Sequence, residues 1–293
     1  MKAAAFRYER PSFLAEALRL LVEGGQDARA IAGGQSLVPA MNFRLARPSL
    51  LVDLGRIAAL RGIRLMEGGV LAAGAMTRHS DFEFSDLVRE RLPLLHAAMP
   101  GIAHMPIRNR GTIGGSLAHA DPAGDWPALC VASGAELVLK SSRGDERVLP
   151  ADQFSRGFFS TALADGELIT EIRFPAWPEG RRWGLQKMAR RRGDFAIAAI
   201  ACTADLKDGK VSDARIVVYG ATDAPLLLPE ACGHLLGHAP SAERVEAAAI
   251  DAAARAPVRS DLHASTEYRR ELVRVLTRRA LEQALPEARR PHE

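Results

Sequence analysis

AGGQSLVPAMNFRLARPSLLVDL, residues 32–54, follows directly on ARAI at 28–31, a short apolar run that reads as a strand ending on two adjacent glycines. After the glycine turn, Pro39–Arg47 reads as a short helix or turn. SLLVDL at 49–54 is a second strand, with the spacing of a βαβ unit. Upstream, KAAAFRY at 2–8 suits a first strand. SFLAEALRLLVEGG at 12–25 suits an amphipathic helix with Ser12 as N-cap and Gly24-Gly25 as its stop. A compact α/β lobe over residues 1–56 follows from this order.

A second glycine pair occurs in IRNRGTIGGSLAHADPAGDWPA, residues 107–128. Around it, residues 57–176 read as two short strands about Glu67-Gly68-Gly69, then a helix over HSDFEFSDLVRERLPLLHAAMP capped by His79 or Ser80. A helix around DWPALCVAS, a hairpin turning at Arg143-Gly144-Asp145 and the strand GELITEIRFP ending at Pro175 complete this part. Trp177–Gly180 reads as a linker. Over 181–286, FAIAAIACTADL and VSDARIVVYGAT form a hairpin across Lys207–Lys210, followed by three helical segments starting near Leu228, Ser241 and Ser265. That is an α+β arrangement, an antiparallel sheet with helices on one face. The end of the chain, EARRPHE at 287–293, reads as a frayed tail.

Glycine pairs at the end of a strand and ahead of a helix allow backbone N–H groups to gather around an anion, because no Cβ blocks the approach and φ > 0 costs nothing. Ser36, Thr112 and Ser116 add hydroxyl donors, and two such loops suit a pyrophosphate. Each pair taken alone also suits a mere tight turn. Neither matches GxGxxG or GxxxxGK[ST], so Rossmann and P-loop readings fail on spacing.

The rest of the composition narrows the function by exclusion. The chain has 293 residues, 47% of them hydrophobic, enough for several packed units. No apolar run of about 18 residues indicates a membrane span, and the charged start MKAAAFRYER does not suit a signal peptide, so a cytoplasmic location is expected. Cys130, Cys202 and Cys232 are isolated and read as buried small hydrophobes, and the eight histidines form no ligand motif, so no metal is expected in this chain. A net charge of +4 without aromatic interleaving does not favour nucleic acid. No nucleophile or acid/base pair stands out.

The two glycine strings together, with RRRGDFAIAA at 190–199 and LHASTEYRRELVRVLTRRAL at 262–281, resemble the FAD-binding medium subunit of the molybdenum hydroxylases, the xanthine dehydrogenase and carbon monoxide dehydrogenase family. The resemblance spans the chain. It implies a two-lobed FAD-binding domain of the vanillyl-alcohol oxidase and p-cresol methylhydroxylase type, here 1–56 and 57–176. It implies a C-terminal flavoprotein domain over 181–286. By the resemblance, Ala32, Gly33, Gly34, Gln35, Ser36 and Leu37 hold the FAD pyrophosphate from the first lobe, and Thr112, Gly114, Gly115 and Ser116 hold it from the second. Asp125 matches a carboxylate close to the FAD, Ile169 an apolar flavin neighbour, and Lys187 a position near the cofactor. Phe195 falls where an aromatic residue, often Tyr, covers the isoalloxazine ring. Each has a plainer alternative: Asp125 as a helix cap, Lys187 as part of a solvated basic segment, Phe195 as core, and Arg108 and Arg110 as carboxylate partners rather than phosphate ligands.

By the same resemblance, a large partner subunit carries the molybdenum cofactor and a small one carries [2Fe-2S] clusters, for which this chain has too few cysteines. The three subunits are expected as a dimer of heterotrimers, passing electrons through the clusters to FAD and on to an external acceptor. A self-sufficient flavin oxidoreductase of the same fold, or a scaffold subunit with a vestigial FAD site, are the alternatives.

Overall fold

The computed structural model describes residues 2–289. The first lobe is a small parallel sheet of β1 (Arg7–Glu9), β2 (Ala28–Ile31) and β3 (Leu50–Asp53) in the order β1-β3-β2. Helix α1 (Leu14–Gly24) lays Ala17, Leu18 and Leu20 on Ala28, Leu50 and Val52 of the sheet, and α2 (Leu37–Asn42) follows the first glycine pair. The N-cap of α1 is Phe13 rather than Ser12 and no side chain caps it; at the other end Gly25 turns the chain at φ +57°.

In the second lobe β4 (Ile63–Leu65) and β5 (Leu71–Gly74) form the expected hairpin. The single helix expected next is three short ones: α3 (His79–Glu83), α4 (Asp86–Arg91) and α5 (Pro93–Ala98). Two local signals divide them. The Ser85 hydroxyl caps α4 by accepting from the Val88 N–H at 3.2 Å, and Pro93 opens α5. Then come α6 (Met105–Arg108), α7 (Ile113–His119), α8 (Asp125–Ala132), the hairpin β6 (Glu136–Lys140) and β7 (Glu146–Pro150), the small pair β8 (Ser155–Gly157) and β9 (Ser160–Thr161), and β10 (Leu168–Phe174). The sheet order is β4-β5-β10-β6-β7, antiparallel throughout, so the last strand of the lobe lies at its centre. Its core is built on Trp126, Phe82, Phe154 and Phe174, with Phe82 edge-on to Trp126 at 4.7 Å between ring centres.

The C-terminal part begins with β11 (Arg182–Met188), a strand over the stretch for which a solvated basic segment is one of two readings, paired antiparallel with β12 (Ala198–Lys207). β12 and β13 (Lys210–Tyr219) meet across a two-residue turn in which Asp208 and Gly209 both have positive φ, +53° and +73°, as a tight hairpin requires. β14 (Leu226–Leu227) ends this sheet, and α9 (Pro229–Gly233), α10 (Ala242–Arg255) and α11 (Thr266–Ala284) cover one face. Alternation along β12 assigns its two faces. Ala198, Ile200, Cys202 and Ala204 pack under the helices, whereas Ala199 and Ala201 join the core of the second lobe. This C-terminal sheet is therefore clamped between its own helices and the second lobe. Beyond Pro286 the expected frayed tail differs in part. Ala288 is buried and Glu287 pairs with Arg182 at 2.7 Å, while residues 290–293 lie outside those described. Among the described residues, no helix is long and apolar enough to cross a membrane.

Candidate functional site

The first glycine stretch leaves β2 at Ile31 and turns through Gly34 at φ +73°, a conformation costly for any side-chain-bearing residue. Among the described residues, no protein group accepts from the backbone N–H of Gly33, Gly34, Gln35, Ser36 or Leu37. Successive unpaired N–H groups at such a bend form a concave donor surface suited to an anion. The Gln35 amide folds back onto the Gly33 carbonyl at 3.2 Å, leaving the N–H side clear. A cavity of about 420 Å³ opens beside this turn, lined by Tyr8, Gly33, Gly34, Gln35, Asp53 and Arg110. Asp53 is held there by the Tyr8 hydroxyl, by Arg10 at 3.1 Å and by the Gly55 N–H at 2.7 Å.

The second stretch is built differently from the sequence expectation. Thr112 is the N-cap of α7 and accepts from the Gly115 N–H at 3.1 Å; Gly114 N–H donates to Ala75 at 2.9 Å, Ile113 to Thr77 and Ser116 to the Thr112 carbonyl, both at 3.0 Å. The backbone donors of this turn are thus committed within the protein, and the polar groups it can turn outward are side chains. Ser116 is half-buried, with its hydroxyl 3.2 Å from His79 Nε2.

Close approach explains the bareness of the backbone at two further positions. A Cβ on Gly33 would lie 2.2 Å from the Arg110 carbonyl oxygen, and one on Gly114 would lie 2.6 Å from the Ala75 Cβ. Gly33 is therefore demanded by contact between the two lobes, rather than only by access for a ligand. The two stretches themselves nearly touch: a Cβ on Gly115 would be 3.4 Å from that of Ala32.

A buried polar contact, away from the residues that line this cavity, joins the C-terminal sheet to the second lobe. Lys187 on β11 reaches inward to Asp125, the first residue of α8, with Nζ at 3.0 and 2.9 Å from the two carboxylate oxygens and 3.2 Å from the Gly101 carbonyl. The Tyr219 hydroxyl, from β13, donates to Asp125 Oδ1 at 2.9 Å. Asp125 is not the cap of α8, which is Gly124, and Lys187 is not on a solvated surface. Burial pushes the Asp125 carboxyl up from its ordinary value, and Lys187 and Tyr219 oppose that shift. The phenol of Tyr219 is driven well above its usual range by its own burial and by the carboxylate beside it.

Phe195 stands in the loop between β11 and β12 with 62% of its surface exposed, so it is not ordinary core. That loop rests on the second lobe: a Cβ on Gly193, at φ +92°, would lie 2.6 Å from the Ala103 carbonyl. Ala103 is held in turn by Arg108, whose guanidinium donates to the Ile102 and Ala103 carbonyls at 3.1 Å each and grips Glu83 at 2.7 and 3.0 Å. Arg108 is thus a carboxylate partner, while Arg110 is exposed at the cavity. Ile169 is buried in the core of the second lobe on β10. The glycine motifs do not point to Tyr8, Asp53 or Tyr219, and His79, expected only as a possible helix cap, lies inside α3 behind its N-cap Arg78. Tyr219 carried a usable signal, since a tyrosine closing the apolar run IVVY must find a partner for its hydroxyl when buried.

Residues 4–177 match the family described as the FAD binding domain in molybdopterin dehydrogenase, and residues 183–284 match the CO dehydrogenase flavoprotein C-terminal domain. The nicotine 6-hydroxylase medium subunit of Paenarthrobacter nicotinovorans is 42% identical, over 97% of this chain and 99% of that one. The 6-hydroxypseudooxynicotine dehydrogenase complex subunit alpha of the same organism is 41% identical, over 99% of this chain and 97% of its own. Among solved structures, carbon monoxide dehydrogenase from Hydrogenophaga pseudoflava, in the form lacking the Mo-pyranopterin moiety, superposes with a TM-score of 0.95 at 40% identity, covering 99% of this chain and all of that one. With both domain matches end to end and relatives of this identity along the whole length, the chain belongs to the FAD-binding medium subunits of the molybdenum-containing dehydrogenases and hydroxylases.

Proposed function

We propose that this chain holds FAD in the cleft between its two lobes and the C-terminal sheet, as the electron-transfer subunit of a three-subunit complex. The observation that carries the reading is the run of unpaired N–H groups from Gly33 to Leu37 beside an open cavity, a donor set that fits a diphosphate. In this reading Ala32–Leu37 bind the diphosphate from one side, and the Thr112, Gly114, Gly115 and Ser116 turn approaches it from the other. Phe195 gives an apolar cover for the flavin ring. Asp125, Ile169 and Lys187 shape the rest of its surroundings, with the Lys187–Asp125 pair tying the C-terminal sheet to the second lobe. Bound FAD supplies the redox chemistry, including the exchange between one-electron and two-electron carriers.

Electrons reach it from [2Fe-2S] clusters on a small partner subunit, supplied by oxidation at the molybdenum cofactor of a large one, and leave to an external acceptor. Residues 1–56, 57–176 and 181–286 act as its three units, and the complex forms a dimer of heterotrimers. A cytoplasmic home suits its buried free cysteines.

The test is flavin titration of the purified full chain and of the assembled complex. Stoichiometric FAD in the wild type and its loss in a folded Gly34→Val variant are expected, because valine is strained at φ +73° and crowds Val38. A wild-type complex without FAD would overturn the reading. Stoichiometric FAD in folded Gly34→Val would overturn the assignment of this loop.

A further inference from the structure

We infer that His79 sets the direction of the Ser116 hydroxyl proton: His79 Nε2–H donates to Ser116 Oγ, and the Ser116 O–H is left to donate into the cleft, to an anionic phosphate oxygen. The phosphate target rests on the FAD reading above; the His79 part stands on the geometry of the ring.

His79 opens α3 and is 4% exposed, with Nε2 3.2 Å from Ser116 Oγ. Its other nitrogen, Nδ1, is enclosed and has no hydrogen-bond partner. Trp126 closes one side of the ring at 5.5 Å between centres. The backbone at Gly111 closes another so tightly that a Cβ there would sit 2.9 Å from the ring Cε1. Gly111 is thus a third glycine of the motif with a packing reason of its own. Burial pushes the imidazole down to about 4, opposed by the Thr112 backbone beside the ring and helped by the Arg108 guanidinium, so the ring is neutral at physiological pH and carries one proton.

That proton has two possible seats. On Nδ1 it would be a buried N–H donor with no acceptor, and Nε2 would then draw the Ser116 proton toward itself and away from the cleft. On Nε2 it has an acceptor in Ser116 Oγ, and only a lone pair is left unsatisfied at Nδ1. Orphaned buried donors are the rarer defect, and the hydroxyl, which both donates and accepts, adapts to either choice. The Nε2–H form is also the one that makes Ser116 useful to an anion. His79 is accordingly a positioning residue: it touches no ligand and acts through Ser116.

The experiment has two arms on the full chain. Ring ¹⁵N NMR of histidine-labelled protein at neutral pH should show His79 protonated at Nε2 and bare at Nδ1; protonation at Nδ1 overturns the assignment. FAD titration should show that His79→Leu and Ser116→Ala each weaken binding roughly tenfold, the worth of one hydrogen bond to a charged group. The double variant should be no worse than either single one, and His79→Gln, which restores a donor, should recover most of the loss. Should His79→Leu fail to fold, His79→Asn, which keeps a polar group but does not reach Ser116, takes its place in the same cycle. Additive losses in the cycle, or full affinity in the folded His79 variant that lacks the donor, overturn the inference. Failure of the wild-type complex to bind FAD overturns the phosphate target and the flavin reading together, whereas an Nδ1–H ring in a flavin-binding chain overturns His79 alone.

Discussion

Replacing Lys187 with methionine keeps most of the stem volume and removes the ammonium from a buried carboxylate. Asp125 is 9% exposed, so after the change it faces the Tyr219 hydroxyl and little else of opposite polarity. Deleting one partner of a buried ion pair costs about 3–5 kcal/mol, chiefly because the other charge stays behind unpaired. The loss should depend on pH in a definite sense. Burial already raises the Asp125 carboxyl in the folded chain, and without Lys187 nothing charged opposes that rise. A carboxyl raised on folding binds its proton more tightly in the folded state. Its penalty is absent below the ordinary carboxylate value and grows by about 1.4 kcal/mol per pH unit as pH climbs toward the folded value. Urea unfolding of the flavin-free chain between pH 5 and pH 8 should therefore show the gap between Lys187→Met and wild type widening with pH. Adding Asp125→Asn to Lys187→Met should recover most of it at pH 8. A gap under about 1 kcal/mol at pH 8, a gap that does not change with pH, or no recovery in the double variant would refute this account.

Gly33→Ala pushes a methyl group to 2.2 Å from the Arg110 carbonyl, so the lobes must part; a loss of about 1–3 kcal/mol in thermal unfolding is expected together with weaker FAD binding, and unchanged stability would show that the contact gives way freely. Phe195→Ala should leave stability within about 0.5 kcal/mol, because the ring is largely exposed, yet alter the absorption and fluorescence of bound flavin. An unaltered flavin spectrum would remove Phe195 from the site. Cys130, Cys202 and Cys232 are all buried, and burial pushes the Cys232 thiol to about 11 and the Cys202 thiol to about 12. Ellman's reagent should accordingly find no reactive thiol in the native chain and three after denaturation; rapid labelling of the native chain would contradict the packing around them.

What the sequence made legible was local. The hairpin at Lys207–Lys210, the strands that flank the first glycine pair and the starts of the last two long helices near Ser241 and Ser265 all have their causes within a few residues, and the structure has them there. β11 escaped notice because Arg182 and Lys187 mask its alternation, although Trp183 and Leu185 pack onto the core of the second lobe. The breaks in the helical run after His79 were marked by Ser85 and Pro93, but the apolar period continued through both. The candidate site was legible as a motif and not as a geometry. Asp125 lies 62 residues from Lys187 and 94 from Tyr219, so no periodicity could bring them together. The commitment of the α7 donors to Thr112, Ala75 and Thr77 likewise depends on a neighbouring strand end.

The place of β10 at the middle of its sheet has a consequence for how the molecule comes into being. The β4–β5 and β6–β7 hairpins close early, being local, but each meets the other only through a strand made last in the lobe. On a ribosome, they wait as two half-sheets with open edges until residues 168–174 have emerged and inserted, a non-local step of the kind that slows folding and exposes chains to aggregation. Fragments ending before Leu168 should thus be insoluble rather than partly active, and the cleft opposite Gly33 takes shape only after that strand has arrived.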